Sequence, residues 1–167
     1  LTQSMFKEKT VNKIEKYFYR ANGVFFKFIS SQFIDALIVG ILAIVVMRIL
    51  NIKYAILLGF AIGLFNMIPY FGAIIAISIS AIITLITGGL SKAAIMLVSI
   101  IILQQIDANI INPKIIGDSL EISPILVILS VTIGGGYFGV IGMFLGVPVA
   151  AILKILVNDY IDNKLNV

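Results

Sequence analysis

Cysteine and histidine are both absent from the 167 residues. Disulfides, thiol chemistry and the common zinc constellations are therefore excluded. Charge is nearly as scarce, with 12% of residues charged against 60% hydrophobic, and mean hydropathy reaches +1.15. Those values lie outside the range of a water-soluble domain and mark a membrane protein. The N-terminal residues are polar and basic, not an apolar core ending in a small-residue cleavage site, so they do not read as a signal peptide. The chain opens on Leu1 in place of Met, and is expected to be the C-terminal portion of a longer protein.

What charge there is sits at the start. Six basic and two acidic residues precede Phe28, which accounts for the whole net charge of +4. Within residues 4–27, Val11, Ile14, Phe18, Ala21 and Phe25 recur every three or four positions, while Lys7, Lys9, Lys13, Lys16 and Arg20 fall on other faces. This spacing predicts a basic amphipathic helix that either lies on anionic headgroups or connects to the membrane with one face packed. Nothing beyond the charge points to nucleic acid. The expected organisation is a juxtamembrane segment over residues 1–27, a transmembrane region over 28–160 and a polar tail over 161–167.

Phe28 to Leu50 supplies the first span, since about twenty apolar residues cross the hydrocarbon. Asp35, near its end, reads either as an interfacial or helix-packing residue or as an ion ligand. Residues 54–91 then run for 38 positions without a charge, too many for one crossing and too few for two full ones with a turn. Asn66, Pro69, Tyr70 and Gly72 interrupt the run where an apolar helix would otherwise continue. Pro69 removes a backbone donor and Gly72 tolerates backbone angles closed to other residues. Two shortened helices, Tyr54 to Ile68 and Gly72 to Thr87, are expected to meet there as a re-entrant hairpin or a tight pair of crossings. Gly59 and Gly63 form a G-x-x-x-G face for close helix approach. Residues 88–91 read as a loop, with Ser91 capping a helix from Lys92 to about Asp107.

That helix turns polar at its end. Gln104 and Asp107 are three apart, Gln105 and Asn109 four apart, so each pair shares a face; the cluster either handles a cation or proton, or marks the membrane exit. Pro113 and Gly117 sit in a structured connector. A second charge-free run covers residues 122–153, 32 positions. It starts a short helix at Pro124, is expected to break at Gly134 and Gly135, and continues past Gly139, Gly142 and Pro148 into a last helix to about Tyr160. Two apolar runs interrupted by Gly and Pro are the pattern of discontinuous helices around a shared site, because broken backbone in hydrocarbon survives only in packed protein or at a polar cavity. The fold expected is all-α: a polytopic helical membrane protein with discontinuous or re-entrant helices, preceded by the basic amphipathic helix.

Taken in order, Asn66-x-Ile68-Pro69-Tyr70-x-Gly72, Gln104-Gln105-Ile106-Asp107-x-Asn109, Pro113, Gly117, Ser123-Pro124, Gly134-Gly135, Gly139, Gly142 and Pro148 resemble the C-terminal half of the autoinducer-2 exporter-like family of bacterial and archaeal membrane proteins. The resemblance covers about residues 25–157. It implies a multi-pass inner-membrane permease that forms homo-oligomers, with members linked to export of a small signalling molecule and others to sodium/proton exchange. The chain departs from the family pattern at Ala73, where a second proline is frequent, at Asp107, where Glu is usual, and at Asp118, where a basic residue is common.

The reading that follows is a transporter of a small solute or signalling molecule, coupled to sodium or protons, with no resident cofactor or metal. Its site is expected between the Asn66–Gly72 break and the Gly134–Gly142 stretch. Asn66 and Tyr70 would supply polar contacts, Pro69 and Gly72 irregular backbone, and Gln105, Asp107 and Asn109 the ion or gating cluster. A passive channel and a non-transporting scaffold are the alternatives. An enzyme is not expected: the apolar runs hold no paired carboxylates and no nucleophile beside a base, and Ser78 and Ser80 read as packing or backbone-bonding residues.

Overall fold

A chain this apolar has to satisfy its backbone internally, and helices do so within each segment. The computed structural model describes residues 2–116 and 122–165, and among these the backbone is helical almost throughout. The elements are α1 (Thr2–Ile49), α2 (Ala55–Asn66), α3 (Phe71–Ile106), a π-helical turn (Asp107–Ile111), α4 (Asn112–Ile116) and α5 (Pro124–Leu165). Tyr17–Ile49, Phe71–Ile115 and Pro124–Asp159 are long and apolar enough to cross a membrane, and Ala55–Asn66 is a shorter apolar helix. The protein is a polytopic α-helical membrane protein. Helix α1 runs through the expected junction at residues 27 and 28 without a break.

Two of the long helices are hairpins. In α3, Gly89 alone leaves helical geometry, at φ 82° and ψ 175°, a region that only glycine adopts freely. Three residues later Lys92 Nζ donates to the Asn51 carbonyl (3.2 Å) beside the α1–α2 turn, whereas Gln104 Nε2 donates to Asn66 Oδ1 (3.4 Å) at the far end of α2. The second arm, residues 90–106, therefore runs parallel to α2, and the first, residues 71–88, runs back from the Asn66 end toward Asn51. The loop expected over residues 88–91 is thus one glycine wide, and Ser91 lies inside the helix and not at its cap. In α5 the reversal falls at Gly139 (φ 60°, ψ −145°). A Cβ on Gly134 would strike the Gly142 carbonyl, and one on Gly146 would meet the Ser130 carbonyl, so the two arms lie against each other.

This corrects the expected break at Gly134 and Gly135. Both remain helical, Gly134 because the opposite arm passes too close for a side chain and Gly135 against Met143; Gly139 makes the turn. Pro148 likewise lies within the returning arm and ends nothing. Pro124 starts α5 as expected, with the Ser123 hydroxyl accepting from the Leu126 N–H (3.4 Å). Pro113 sits second in α4, directly after the π turn. Gly117 and Asp118 lie outside the described residues.

Helices α1, α2 and both arms of α3 enclose the main core, which includes Val39, Ala43, Met47, Ile62, Met96 and Ile100. Close approach of α1 to α2 depends on glycine. A Cβ on Gly63 would lie 2.5 Å from the Ala36 carbonyl and 2.7 Å from Gly40 Cα, and one on Gly59 would lie 2.7 Å from the Ile44 nitrogen. The G-x-x-x-G face is therefore a real packing surface, and its partner is α1. The α5 hairpin joins through a smaller core of Phe28, Ile68, Val131 and Val147, with Phe28 against Phe144 at 5.8 Å between ring centroids. Where α1 meets the end of α5, Arg20 pairs with Asp159 (3.1 Å) across half-exposed surface. Of the apolar face expected on the amphipathic segment, Ala21 and Phe25 are half-buried and Phe18 is exposed.

Two outcomes test this packing. Gly63→Ala should cost about 1–3 kcal/mol through forced separation of α1 and α2, read as a lower thermal midpoint in detergent, whereas Gly136→Ala, with open space around its Cβ position, should leave the midpoint unchanged or raised. Arg20→Ala should change stability by no more than about 1 kcal/mol, because exposed ion pairs contribute little; a larger loss in denaturant melts would mean that the α1–α5 contact depends on it.

Candidate functional site

The Asn66–Gly72 break is the place where the helical backbone gives way. Helix α2 stops at Asn66, and Pro69 withholds a donor from the next turn. The Phe71 N–H then donates to the Pro69 carbonyl (2.8 Å) and the Gly72 N–H to the Ile68 carbonyl (3.0 Å). Tyr70 is left at φ 63° and ψ −55°, the rare positive-φ form of γ-turn, which is strained for a residue with a side chain. Gly72 is required beside it, because a Cβ there would collide with the Phe65 carbonyl. The chain thereby reverses between α2 and α3, and the break is a hairpin turn rather than a kink within one crossing.

The antiparallel register of α1 and α2 sets this turn level with Gln32 and Asp35. Asn66 Nδ2 donates one hydrogen to Asp35 Oδ2 (2.9 Å) and the other to Asp107 Oδ2 (3.3 Å). Gln104 Nε2 donates to Asn66 Oδ1, fixing the amide from the other side. Gln32 Nε2 reaches the Met67 carbonyl (3.3 Å), one of the groups freed by the break. Asp35 is fully buried and Asp107 is 4% exposed. Asp107 also opens the π turn, closed by the Asn112 N–H on the Asp107 carbonyl; such turns widen a helix and recur at functional sites. Four elements thus bring two carboxylates and three amides together inside an otherwise apolar bundle.

The site has oxygen atoms to spare. Asp35 Oδ1, Asp107 Oδ1 and Gln32 Oε1 are buried without a close hydrogen-bond partner; the Asn66 amide donates to both carboxylates, and the Asn112 side chain stands beside Asp35 as a second neutral donor. Two carboxylates this close, supported by neutral amides alone, would repel each other if both were ionised. A shared proton or a small cation would relieve that repulsion, and Asp35, Asp107 and Gln32 are the residues placed to hold one.

Of the residues expected from the sequence, Asn66 and Asp107 stand at the centre of this cluster, and Pro69 and Gly72 shape the turn beside it. The other expected groups lie apart from it. Tyr70 is 52% exposed on the outside of the turn. Gln105 and Asn109 are exposed on the outer face of the helix, where the Asn109 amide donates to the Gln105 carbonyl (2.7 Å). Their partners on the other face, Gln104 and Asp107, point inward, as the three-residue spacing allows. The α5 hairpin meets the break through apolar side chains, Ile68 and Phe71 against Val131 and Val147; Gly134, Gly135 and Gly142 pack within it. Gln32 was the unforeseen member, and for Asp35 the sequence leaves a packing role and an ion ligand both open. Their signal was the spacing of three that sets both on the face carrying Phe28, Val39 and Ala43.

Comparison with known proteins agrees with this architecture. A family model described as AI-2E family transporter matches residues 1–162. Two Bacillus subtilis strain 168 proteins named for an inferred transport role are similar: YrrI, 31% identical over 80% of this chain and 38% of its own length, and YueF, 31% identical over 76% and 34%. The AI-2 transport protein TqsA of Escherichia coli K12 is 29% identical over 72% of this chain and 35% of its own. The chain thus spans little more than a third of the length of these relatives. It is a multi-pass protein of the cell membrane, and it belongs to the AI-2E family of transporters.

Proposed function

We propose that this chain is the part of a secondary transporter that holds the coupling ion, with Asp35 and Asp107 taking up sodium or a proton while a small solute or signalling molecule crosses the membrane. One observation carries the reading: two fully or nearly fully buried carboxylates share one amide and keep unpartnered oxygens. Ionisable side chains within a membrane are costly and mark ion pathways, relays or substrate contacts. A purely structural role would be served more cheaply by an apolar pair, since a buried charged network stabilises less than well-packed hydrocarbon. The strained turn at Tyr70 belongs to the same picture, because irregular backbone at membrane depth accompanies ion and substrate sites in transporters.

The family name and the AI-2 designation of TqsA favour a small organic solute as cargo. The long apolar outer surface, with Phe60, Leu64, Ile74 and Ile86 exposed, is suited to lipid and to further copies of the chain. We take the assembly to be a homo-oligomer in the bilayer, without a resident cofactor.

The full-length transporter in proteoliposomes tests the assignment. Asp35→Asn and Asp107→Asn should each lower ion-driven flux by about tenfold or more, equivalent to about 1.4 kcal/mol in the barrier, with membrane insertion and thermal midpoint retained. Asn66→Leu should do the same, and Gln105→Leu, on the outer face, should not. Flux undiminished in both aspartate variants would remove the coupling site. Flux that needs no ion gradient and does not saturate would identify a passive channel instead.

A further inference from the structure

Two hydroxyls in the bundle behave unlike the others. Ser78, Thr87, Ser99 and Thr132 each donate to the carbonyl one turn back in their own helix, at 2.7–2.8 Å, which is how a hydroxyl on a membrane helix ordinarily satisfies itself. Ser80 and Thr84 do not. Each is 1% exposed, and each oxygen is buried without a partner. A hydroxyl left unpaired in an apolar interior costs about 1–3 kcal/mol, and two of them occur one turn apart on a single inward face, in line with Ala76 and Gly72.

Their place in the fold gives this a direction. The first arm of α3 leaves the carboxylate cluster at Phe71 and descends toward the end where Lys92 meets Asn51. At 1.5 Å per residue Ser80 lies about 13 Å along that arm and Thr84 about 6 Å further. Thr84 is then one turn from Gly88 and the exposed Lys92–Asn51 contact. Asp35 with Asp107, Ser80 and Thr84 therefore mark three successive levels between the cluster and the opposite end of the bundle. One layer between the cluster and Ser80, which includes Val39, Ile62 and Ala76, is apolar, and it closes the line in this conformation.

We infer that Ser80 and Thr84 are the stations of a water chain that passes protons between the Asp35–Asp107 carboxyls and the membrane face bearing Asn51 and Lys92. The inference rests on the reading of those carboxyls as the coupling site. Hydroxyls about 6 Å apart are bridged by a single water at ordinary oxygen–oxygen distances of about 2.8 Å. Each hydroxyl donates its own hydrogen onward as it accepts another on a lone pair, so charge moves and no group is consumed. A metal cation is a poorer occupant of this stretch. It would have to exchange its hydration shell for fixed oxygens, and two hydroxyls on one helix face do not supply them.

The test is proton flux into proteoliposomes of the full-length transporter, driven by a pH gradient and read by a trapped pH dye, with sodium binding measured calorimetrically beside it. Ser80→Ala and Thr84→Val should each reduce proton flux by about tenfold while sodium binding and the thermal midpoint stay as in the unaltered protein. Ser80→Thr and Thr84→Ser, which keep the hydroxyl, should restore flux. If the Ser80→Ala/Thr84→Val double variant carries protons within about twofold of the unaltered protein, and Asp35→Asn abolishes them, the hydroxyl path is wrong and the coupling site stands. If the unaltered protein moves no protons under any gradient, or Asp35→Asn leaves proton flux intact, the proton role of the carboxyls falls and the water chain with it.

Discussion

An aspartate within a membrane helix is costly, about 2.5–3.5 kcal/mol at the helix centre by insertion measurements, and this bundle buries two that share the Asn66 amide. That arrangement constrains everything around it. The amide has to stand where α1 and the end of α3 both reach it, which requires α2 to stop at Asn66 and the chain to reverse at once. It also requires α1 and α2 to approach closely enough for Asn66 Nδ2 to lie 2.9 Å from Asp35. Gly40, Gly59 and Gly63 permit that approach, since a side chain at Gly63 would meet the backbone of α1. The glycine seam and the polar cluster are thus two parts of one requirement, and separating the helices would strand both carboxylates.

The break lies between two cores. Asn66 belongs to the polar cluster, while Ile68, two residues on, is buried in the apolar contact with α5. Pro69 and the positive-φ Tyr70 connect them. Such a turn persists only when its surroundings over-determine it, and here it is held from one side by Gln32 on the Met67 carbonyl and from the other by Val131 and Val147. The α5 hairpin therefore supports the site without donating a polar group to it.

Much of this was legible in the residues. The charge-free runs announced the membrane, and the length of the first announced two shortened helices meeting at the Asn66–Gly72 break. Asn66, Pro69 and Gly72 stood out because no apolar helix has use for them. Glycine was harder to read, since it serves two purposes that leave the same letter in a sequence. Gly134 is helical and needed for close packing, Gly139 is needed for its positive φ, and only the geometry of the opposing arm tells them apart. Asp35 stays between a packing role and an ion ligand in the sequence for a related reason. Its distance from the end of its own span says little, whereas its depth follows from the register of α2 against α1, a tertiary fact. Gln105 was preferred to Gln104 for want of the same information: both lie on the polar last turn, and the side on which α2 packs decides between them.

The polar groups gather at one level because of what helices leave unsaid along their length. Mid-helix, every backbone amide and carbonyl is already paired, and an apolar side chain is the stable choice. At an end, carbonyls lose their partners and polar side chains become useful to the backbone itself, as Gln32 is to Met67. Joining α2 to α3 at Asn66, and widening α3 into a π turn at Asp107, brings two such ends to the same depth. Carboxylates placed there share a neighbourhood of amides that a continuous helix would not provide. Ser80 and Thr84 are the exception, since they lie in the middle of a regular helix with no backbone group in need of them. Their unpaired state has no origin in helix termination, and water along that face would give both hydroxyls a partner.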